Sequence, residues 1–277
     1  MSQTFAQKRA RFAELHAGPG CFVMPNPWDV GSTVYLTSLG FEALATTSAG
    51  MAFAAGRPDN GVTRAYALAH IAELVDASPL PFNADFEAGF GSTPDEIHDS
   101  ARLCIGTGVA GFSIEDYTGD PKAPFYGFSE AVERLRAARA AIDASGENVL
   151  LTARSETIWG GHPDGLKEAL RRLTAFAEAG ADVLFAPGLK RPQDVAEIIR
   201  AAGPLPVNVV VGAPGFTLRQ LEDLGVRRVS TGAGLARAAW GGFSRAARMI
   251  KEEGRFDGFA GAASSAELDA VFRARAD

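Results

Sequence analysis

The chain is short of sulfur and histidine, with two cysteines and four histidines. Cys21 and Cys104 lie far apart and form no CxxC pair. This excludes a cysteine zinc cluster or a disulfide framework and fits a reducing cytoplasm. Both read as small buried hydrophobes. No apolar run approaches the roughly 20 residues of a membrane span. No basic block or aromatic–basic stripe occurs, which argues against nucleic acid. The N-terminus, MSQTFAQKRARFAELHAG, lacks the apolar core of a signal peptide and reads as an amphipathic helix. A glycine-rich fingerprint after the first apolar segment is also missing, which disfavours a doubly wound open sheet.

What remains is a chain of 277 residues, 47% hydrophobic, with a net charge of −6 and interspersed acids and bases. Eight short β-rich segments alternate with helical patterns: 21–26, 41–48, 80–87, 109–116, 148–156, 181–187, 205–211 and 226–232. Leu39-Gly40, Ala179-Gly180 and Leu224-Gly225 read as helix ends feeding the next strand. Eight βα units predict a (β/α)8 TIM-type barrel, with extra N-terminal and C-terminal helices, as one domain over 1–277. The barrel is complete near residue 254. Beyond it, Leu268, Val271 and Phe272 form a short apolar stripe at helical spacing. Residues 255–277 are therefore expected to dock outside the barrel, either at a subunit interface or back on their own barrel.

Barrel chemistry gathers at the strand C-termini. In NADFEAGFG (83–91), Asp85 and Glu87 flank a phenylalanine, and strand alternation would turn both to one side, roughly 7 Å apart at Cα. With Glu115 on the next strand, three acids would share a partly dry rim and call for a cation between them. Oxygen-only ligands favour Mg2+, or Mn2+, over zinc. Arg154 can grip a carboxylate or phosphate at two points, or pair with Glu156 or Glu115. The TTSAG turn (46–50) can receive an anion or make an ordinary tight turn. Asn208 can orient a ligand or serve barrel packing. Asp29 fits a helix N-cap and Trp28 a pocket wall. His16, His70 and His98 are expected at the surface or an interface, and His162 in a loop or at a helix start.

Together, TTSAGMAFAAGRPDNG, NADFEAGFG, SIEDYTGD, LTARSET, PVNVVVG and STGAGLARAAWGGF resemble the isocitrate lyase and phosphoenolpyruvate mutase superfamily from about residue 20 to 255. The resemblance implies a barrel with magnesium at the rim and small 2-oxo acids, or their enols, as substrates. It implies Asp59, Asp85, Glu87 and Glu115 as the metal site, largely through waters. Thr47, Ser48 and Ala49 would cradle the substrate carboxylate, and Asp85, Arg154 and Asn208 would contact the substrate. Arg154, Glu115 and Lys122 are the catalytic candidates. Isocitrate-type lyases carry a K-[KR]-C-G-H loop after the fourth strand. Here the loop reads YTGDPKAPFYGF, with Ala123 near the cysteine position. Phosphoenolpyruvate mutases follow a lysine with an asparagine, and KAPF has none after Lys122. The expected function is a Mg-dependent carbon–carbon lyase on an oxaloacetate-like 2-oxo acid, breaking a bond at C3. The alternatives are phosphonopyruvate hydrolase or mutase-type P–C chemistry, and a non-catalytic 2-oxo acid binder. A lid over 117–128 and a cytoplasmic homo-oligomer, dimer or tetramer, complete the expectations.

Overall fold

The computed structural model describes residues 3–274. Its strands are β1 (Phe22–Met24), β2 (Leu44–Ala45), β3 (Phe82–Asp85), β4 (Gly111–Glu115), β5 (Leu150–Arg154), β6 (Val183–Phe185), β7 (Val207–Val210) and β8 (Arg228–Ser230). Each falls inside one of the eight expected segments. All pair in parallel, in the order β1-β8-β7-β6-β5-β4-β3-β2. At the remaining seam the Ala45 amide donates to the Pro25 carbonyl at 3.1 Å. Asn26 Nδ2 donates to the Thr46 carbonyl at 2.7 Å. The result is a (β/α)8 barrel.

Helices α1 (Phe5–Ala17), α2 (Val30–Ser38), α3 (Ser48–Ala54), α4 (Arg64–Asp76), α5 (Pro94–Gly106), α6 (Phe128–Ser145), α7 (Gly165–Glu178), α8 (Pro192–Ala202), α9 (Leu218–Asp223), α10 (Gly234–Glu253) and α11 (Ser265–Arg273) surround the strands. Short polar residues cap seven of them. Asp29 caps α2, accepting from the Ser32 amide at 2.7 Å, and Thr93 and Glu96 close a capping box on α5. Gly180, at φ 98°, turns the chain from α7 toward β6, a conformation that strains any residue with a Cβ.

Strand alternation divides the interior into two environments. Phe82, Ala84, Phe112, Ile114, Leu151 and Ala153 join the apolar layer beneath the helices. The intervening Asn83, Asp85, Ser113, Arg154 and Asn208 line a cavity inside the barrel. The lower end is sealed by α1. Phe12 is fully buried there with Phe22, Met24, Ala43, Ala45 and Ala110. Truncating such a ring to alanine typically costs about 3–5 kcal/mol.

That seal corrects one expectation. His16 is not at the surface but buried, its ring edge-on to Phe12 and Phe22 with centroids 4.5 and 5.1 Å away. The helical stripe that drives Phe12 and Leu15 into the barrel base turns His16 inward with them. Lys8 and Arg9 are drawn in too, with their cationic ends on backbone carbonyls: Lys8 on Val75 (3.0 Å) and Ser78 (2.6 Å), Arg9 on Val109 (3.0 Å). His70 and His98 are half-buried on α4 and α5. Cys104 is buried, Cys21 half-buried, and both are free thiols. No helix among the described residues is long and apolar enough to cross a membrane.

After α10, the chain folds α11 back on α2, where Tyr35 Oη donates to Glu267 Oε1 at 3.2 Å. Residues 275–277 of the expected C-terminal extension lie outside the described residues.

Candidate active site

The cavity opens at the strand C-termini and encloses about 560 Å³. Its polar wall is built around Arg154, the last residue of β5. Nη1 of Arg154 lies 3.1 Å from Asp85 Oδ1 and 3.1 Å from Glu115 Oε2, while Nε pairs with Glu156. Burial alone would lower the Arg154 pKa, but Glu115, Glu156 and Asp85 together push it well above its ordinary value. The other oxygen of Asp85 accepts from the Ser48 amide at 2.9 Å and the Ser48 hydroxyl at 2.8 Å. The Asp85 amide donates to Thr46 Oγ1 at 2.9 Å. Asp85 is thus fixed from both sides.

Four acids lie around this pair. Glu115 is buried, and loss of hydration raises its carboxyl well above the usual range against the pull of Arg154. Glu156 is raised for the same reason. Glu87 is pushed up to about 8, first by burial and then by the charges of Asp85 and Asp59. Its Oε1 is buried with no hydrogen-bond partner. Asp59 is exposed as a residue, but its carboxyl turns to the cavity mouth, where lost hydration and the Asp85 charge raise its pKa.

Glu87 reaches this place by a different route from the one alternation suggests. Strand β3 ends at Asp85, and Glu87 sits in a left-handed turn at φ 47°. Such a conformation in a non-glycine residue costs on the order of 1–3 kcal/mol and clusters at functional sites. The Glu87 carbonyl accepts from the Glu115 amide at 3.0 Å, which ties the turn to β4. Among the described residues, no three His, Cys, Asp or Glu side chains converge closely enough to hold a metal ion by themselves. The guanidinium of Arg154 stands between Asp85 and Glu115.

The remaining candidates divide. Thr47, Ser48 and Ala49 line the cavity at the start of α3. Thr47 Oγ1 caps that helix on the Gly50 amide at 3.2 Å, and the Ser48 amide is engaged by Asp85. Asn208 lines the cavity and is bonded across the strands, giving Nδ2 to Ser230 Oγ (3.0 Å) and taking Arg228 Nε on Oδ1 (2.8 Å). Lys122 is not brought to the site. It is exposed, outside the cavity wall, in a hairpin where Tyr117 bridges Phe125. The Asp120 carboxylate accepts its amide at 2.9 Å, so the short turn points the residue outward. Asp116 holds structure, accepting from the Glu156 amide (2.7 Å), Ser155 Oγ (3.0 Å) and Arg172 (3.1 Å). His162 packs on Phe125 and accepts from the Asp164 amide at 3.1 Å.

Sequence reasoning passed over the lower layer: Asn83, Ser113, Thr152 and Arg228. The signal was present, since each stands two residues before a rim residue on its own strand: Asp85, Glu115, Arg154 and Ser230. It also passed over Trp159, Lys190 and Arg237 at the mouth, for which the sequence carries no periodic signal.

Residues 12–251 match the family model described as phosphoenolpyruvate phosphomutase. An uncharacterized protein of Mycobacterium tuberculosis (strain CDC 1551 / Oshkosh) is 33% identical over 244 residues, covering 87% of this chain and 89% of that one. A 2-methylisocitrate lyase of Salmonella typhimurium is 31% identical over 201 residues, covering 66% of this chain and 64% of the lyase. A crystal structure from Burkholderia cenocepacia J2315, provisionally described as a lyase/mutase, superposes with a TM-score of 0.93 at 45% identity, covering 97% of both chains.

Proposed function

The chain belongs to the phosphoenolpyruvate phosphomutase family, and on that footing we propose that it is a divalent-metal-dependent carbon–carbon lyase acting on a small 2-oxo acid of the oxaloacetate kind. The observation that carries this reading is the crowding of acids at the rim. Asp59, Asp85, Glu87, Glu115 and Glu156 surround the single guanidinium of Arg154, and the buried Glu87 Oε1 has no partner. An all-oxygen, acid-rich set with one unpartnered oxygen suits a hard, partly hydrated cation such as Mg2+, or Mn2+. Asp85, Glu87, Glu115 and Asp59 would hold it, largely through water. Bound there, the cation supplies Lewis-acid polarisation of substrate oxygens.

The chain's own residues supply the rest. Arg154 is held rigid by Glu156 on its Nε edge, and its Nη1 edge faces the cavity among Asp85 and Glu115. That edge can take a substrate carboxylate and hold the C3–C4 bond in one orientation. Phe185, whose ring centroid lies 5.3 Å from the Arg154 guanidinium, and Leu189 give the cavity an apolar wall, which keeps water from the carbanion equivalent left when that bond breaks. When carbon dioxide leaves, no acid is needed to protonate it. This accords with Ala123 and the absence of a cysteine from the 117–128 loop. Chemistry at a phosphorus–carbon bond is less supported, because no asparagine follows Lys122 in the KAPF stretch.

The deciding experiment offers oxaloacetate, a panel of other 2-oxo acids and phosphonopyruvate, with Mg2+ and with chelator, while carbon dioxide and phosphate are followed in parallel. Metal-dependent carbon dioxide release from oxaloacetate is the expected result. Phosphate release from phosphonopyruvate alone would move the assignment to P–C hydrolysis. Binding without turnover of any substrate would leave a 2-oxo acid binding protein.

A further inference from the structure

Below the rim, the cavity ends on a cation that the rim chemistry does not use. Arg228, the first residue of β8, is 1% exposed and lines the cavity. Its Nε donates to Asn208 Oδ1 at 2.8 Å and its Nη2 to Thr152 Oγ1 at 3.1 Å. Its Nη1 lies 3.1 Å from His16 Nε2. The other ring nitrogen, Nδ1, is 2.8 Å from the Phe12 carbonyl, which can only accept, so Nδ1 carries the proton and Nε2 takes the arginine. Burial and the Arg228 charge press the His16 pKa down to about 3, so the histidine stays neutral.

All three partners of Arg228 are therefore uncharged. A guanidinium offers five N–H groups; three are accounted for, and one on each Nη has no acceptor among the described residues. No carboxylate lies within ion-pair distance of it among the described residues, whereas the equally buried Arg172 meets both Asp116 and Glu168. Burial lowers the Arg228 pKa to about 9. A cation kept dry without a counter-charge costs free energy that some partner should offset. Protein has closed the bottom and sides of this group with α1, β5 and β7. The open direction is the cavity.

We propose that Arg228 is the floor of an anion site, and that a carboxylate reaches it through the cavity. Thr152 lies two residues before Arg154 on β5, so the floor is one side-chain layer, roughly 7 Å of strand, beneath the rim. A ligand with two acidic groups can therefore engage both levels, and a single small carboxylate can occupy the lower one alone. The proposal concerns which anions enter the barrel and is independent of the lyase reading.

The test reads thermal unfolding, not turnover. Wild type, Arg228→Met and Asn208→Asp are melted with formate, pyruvate or succinate, at ionic strength held constant with a bulky sulfonate salt. Wild type should gain a few degrees with millimolar carboxylate, as a ligand binding only the folded state requires. Arg228→Met should lose that gain. Asn208→Asp puts a built-in carboxylate beside Nε, so it should melt above wild type without added anion and ignore the added ones. A response to formate identifies a free-anion site. A response to succinate but not to formate or pyruvate identifies a site reached by the far end of a diacid. No response in wild type to any of the three, or an undiminished response in Asn208→Asp, would overturn the proposal even if Arg228→Met failed to fold.

Discussion

Arg154 and Asp85 meet at 3.1 Å across the barrel rim, from the ends of β5 and β3, and each is held from behind by a second group. Glu156 takes the Nε edge of the arginine, while Ser48 gives both amide and hydroxyl to the far oxygen of the aspartate. The contact joins the Arg154 cation to an acid that Ser48 and Thr46 hold in place.

Asp85→Ala should abolish turnover together with any rise in melting temperature on adding Mg2+. The fold should persist, because Arg154 keeps Glu115 and Glu156. Near-wild-type turnover in this variant would remove Asp85 from the metal site. Glu87→Gln and Glu115→Gln should show smaller losses in both measurements, as water-mediated contacts would.

Arg154→Lys keeps the charge and loses the planar fork. It should lower kcat/KM by roughly 10²-fold, on the order of 3 kcal/mol, with a small change in Tm. Arg154→Met is different in kind. It strips the counter-charge from buried Glu115 and Glu156, a loss typically of about 3–5 kcal/mol. Steady-state kinetics and calorimetry separate the two effects. A severely destabilised Arg154→Lys with unchanged kinetics would assign the residue to the fold.

The sequence made some of these relationships legible and hid others, for physical reasons. Eight strands could be placed because each is a short apolar run between helical patterns, with Gly40, Gly180 and Gly225 marking the helix ends before β2, β6 and β8. Asp85, Glu115 and Arg154 stood out because polar groups at strand ends conflict with burial. Glu87 was assigned to the rim, but by a strand that stops two residues earlier. A left-handed turn at a non-glycine residue leaves no mark in composition. His16 was misplaced because periodicity marks the apolar face of a helix but not what that face meets. The lower polar layer of Thr152 and Arg228 was readable by the same period of two that exposed the rim.

His16 makes the stability of the barrel base depend on pH. Its folded pKa, near 3, lies below the ordinary value of 6.5, so between these values the unfolded chain binds the extra proton. Stability from this site is full above about pH 6.5 and declines as pH falls toward 3, by on the order of 1 kcal/mol per unit. His16→Gln can still accept from Arg228 and does not titrate. Urea unfolding at pH 7, 6 and 5 should show a shallower decline in that variant. Parallel declines would mean that the histidine is not the source.

The 117–128 segment should close over a bound ligand. Tyr117 and Phe125 are bridged, and Phe125 packs on His162 and crowds Gly160, so the hairpin rests on the β5–α7 loop beside the cavity mouth. Gly119 and Gly127 give it hinge points. Lids of this kind exclude water from small-molecule sites. Amide exchange from Tyr117 to Phe128 should slow when Mg2+ and a 2-oxo dicarboxylate are added together. Lys122, now exposed, is the side chain that such a movement would carry inward. Unchanged exchange, with binding verified independently, would count against a lid.

The last expectation concerns assembly. Trp240 and Phe243 stack edge to face on α10, at 43% and 64% exposure, and Phe256, Phe259 and Phe272 follow at 64%, 56% and 41%. Five large aromatic side chains are thus left in water within the final forty residues or so. The barrel is already closed, and α11 packs on α2. Exposed apolar surface gathered in one region of a chain marks an interaction site more often than it marks chance. A second copy is the occupant expected, because a self-complementary contact buries the same residues on both sides. We expect a homo-oligomer, a tetramer of paired dimers, with the segment from α10 to α11 in the contact. Deleting residues 256–277 should lower the mass in solution and increase binding of a hydrophobic dye. Phe243→Glu should lower the mass without unfolding the barrel. A full-length protein that scatters light as a monomer at micromolar concentration would refute this assembly and leave α11 as a helix folded on its own barrel.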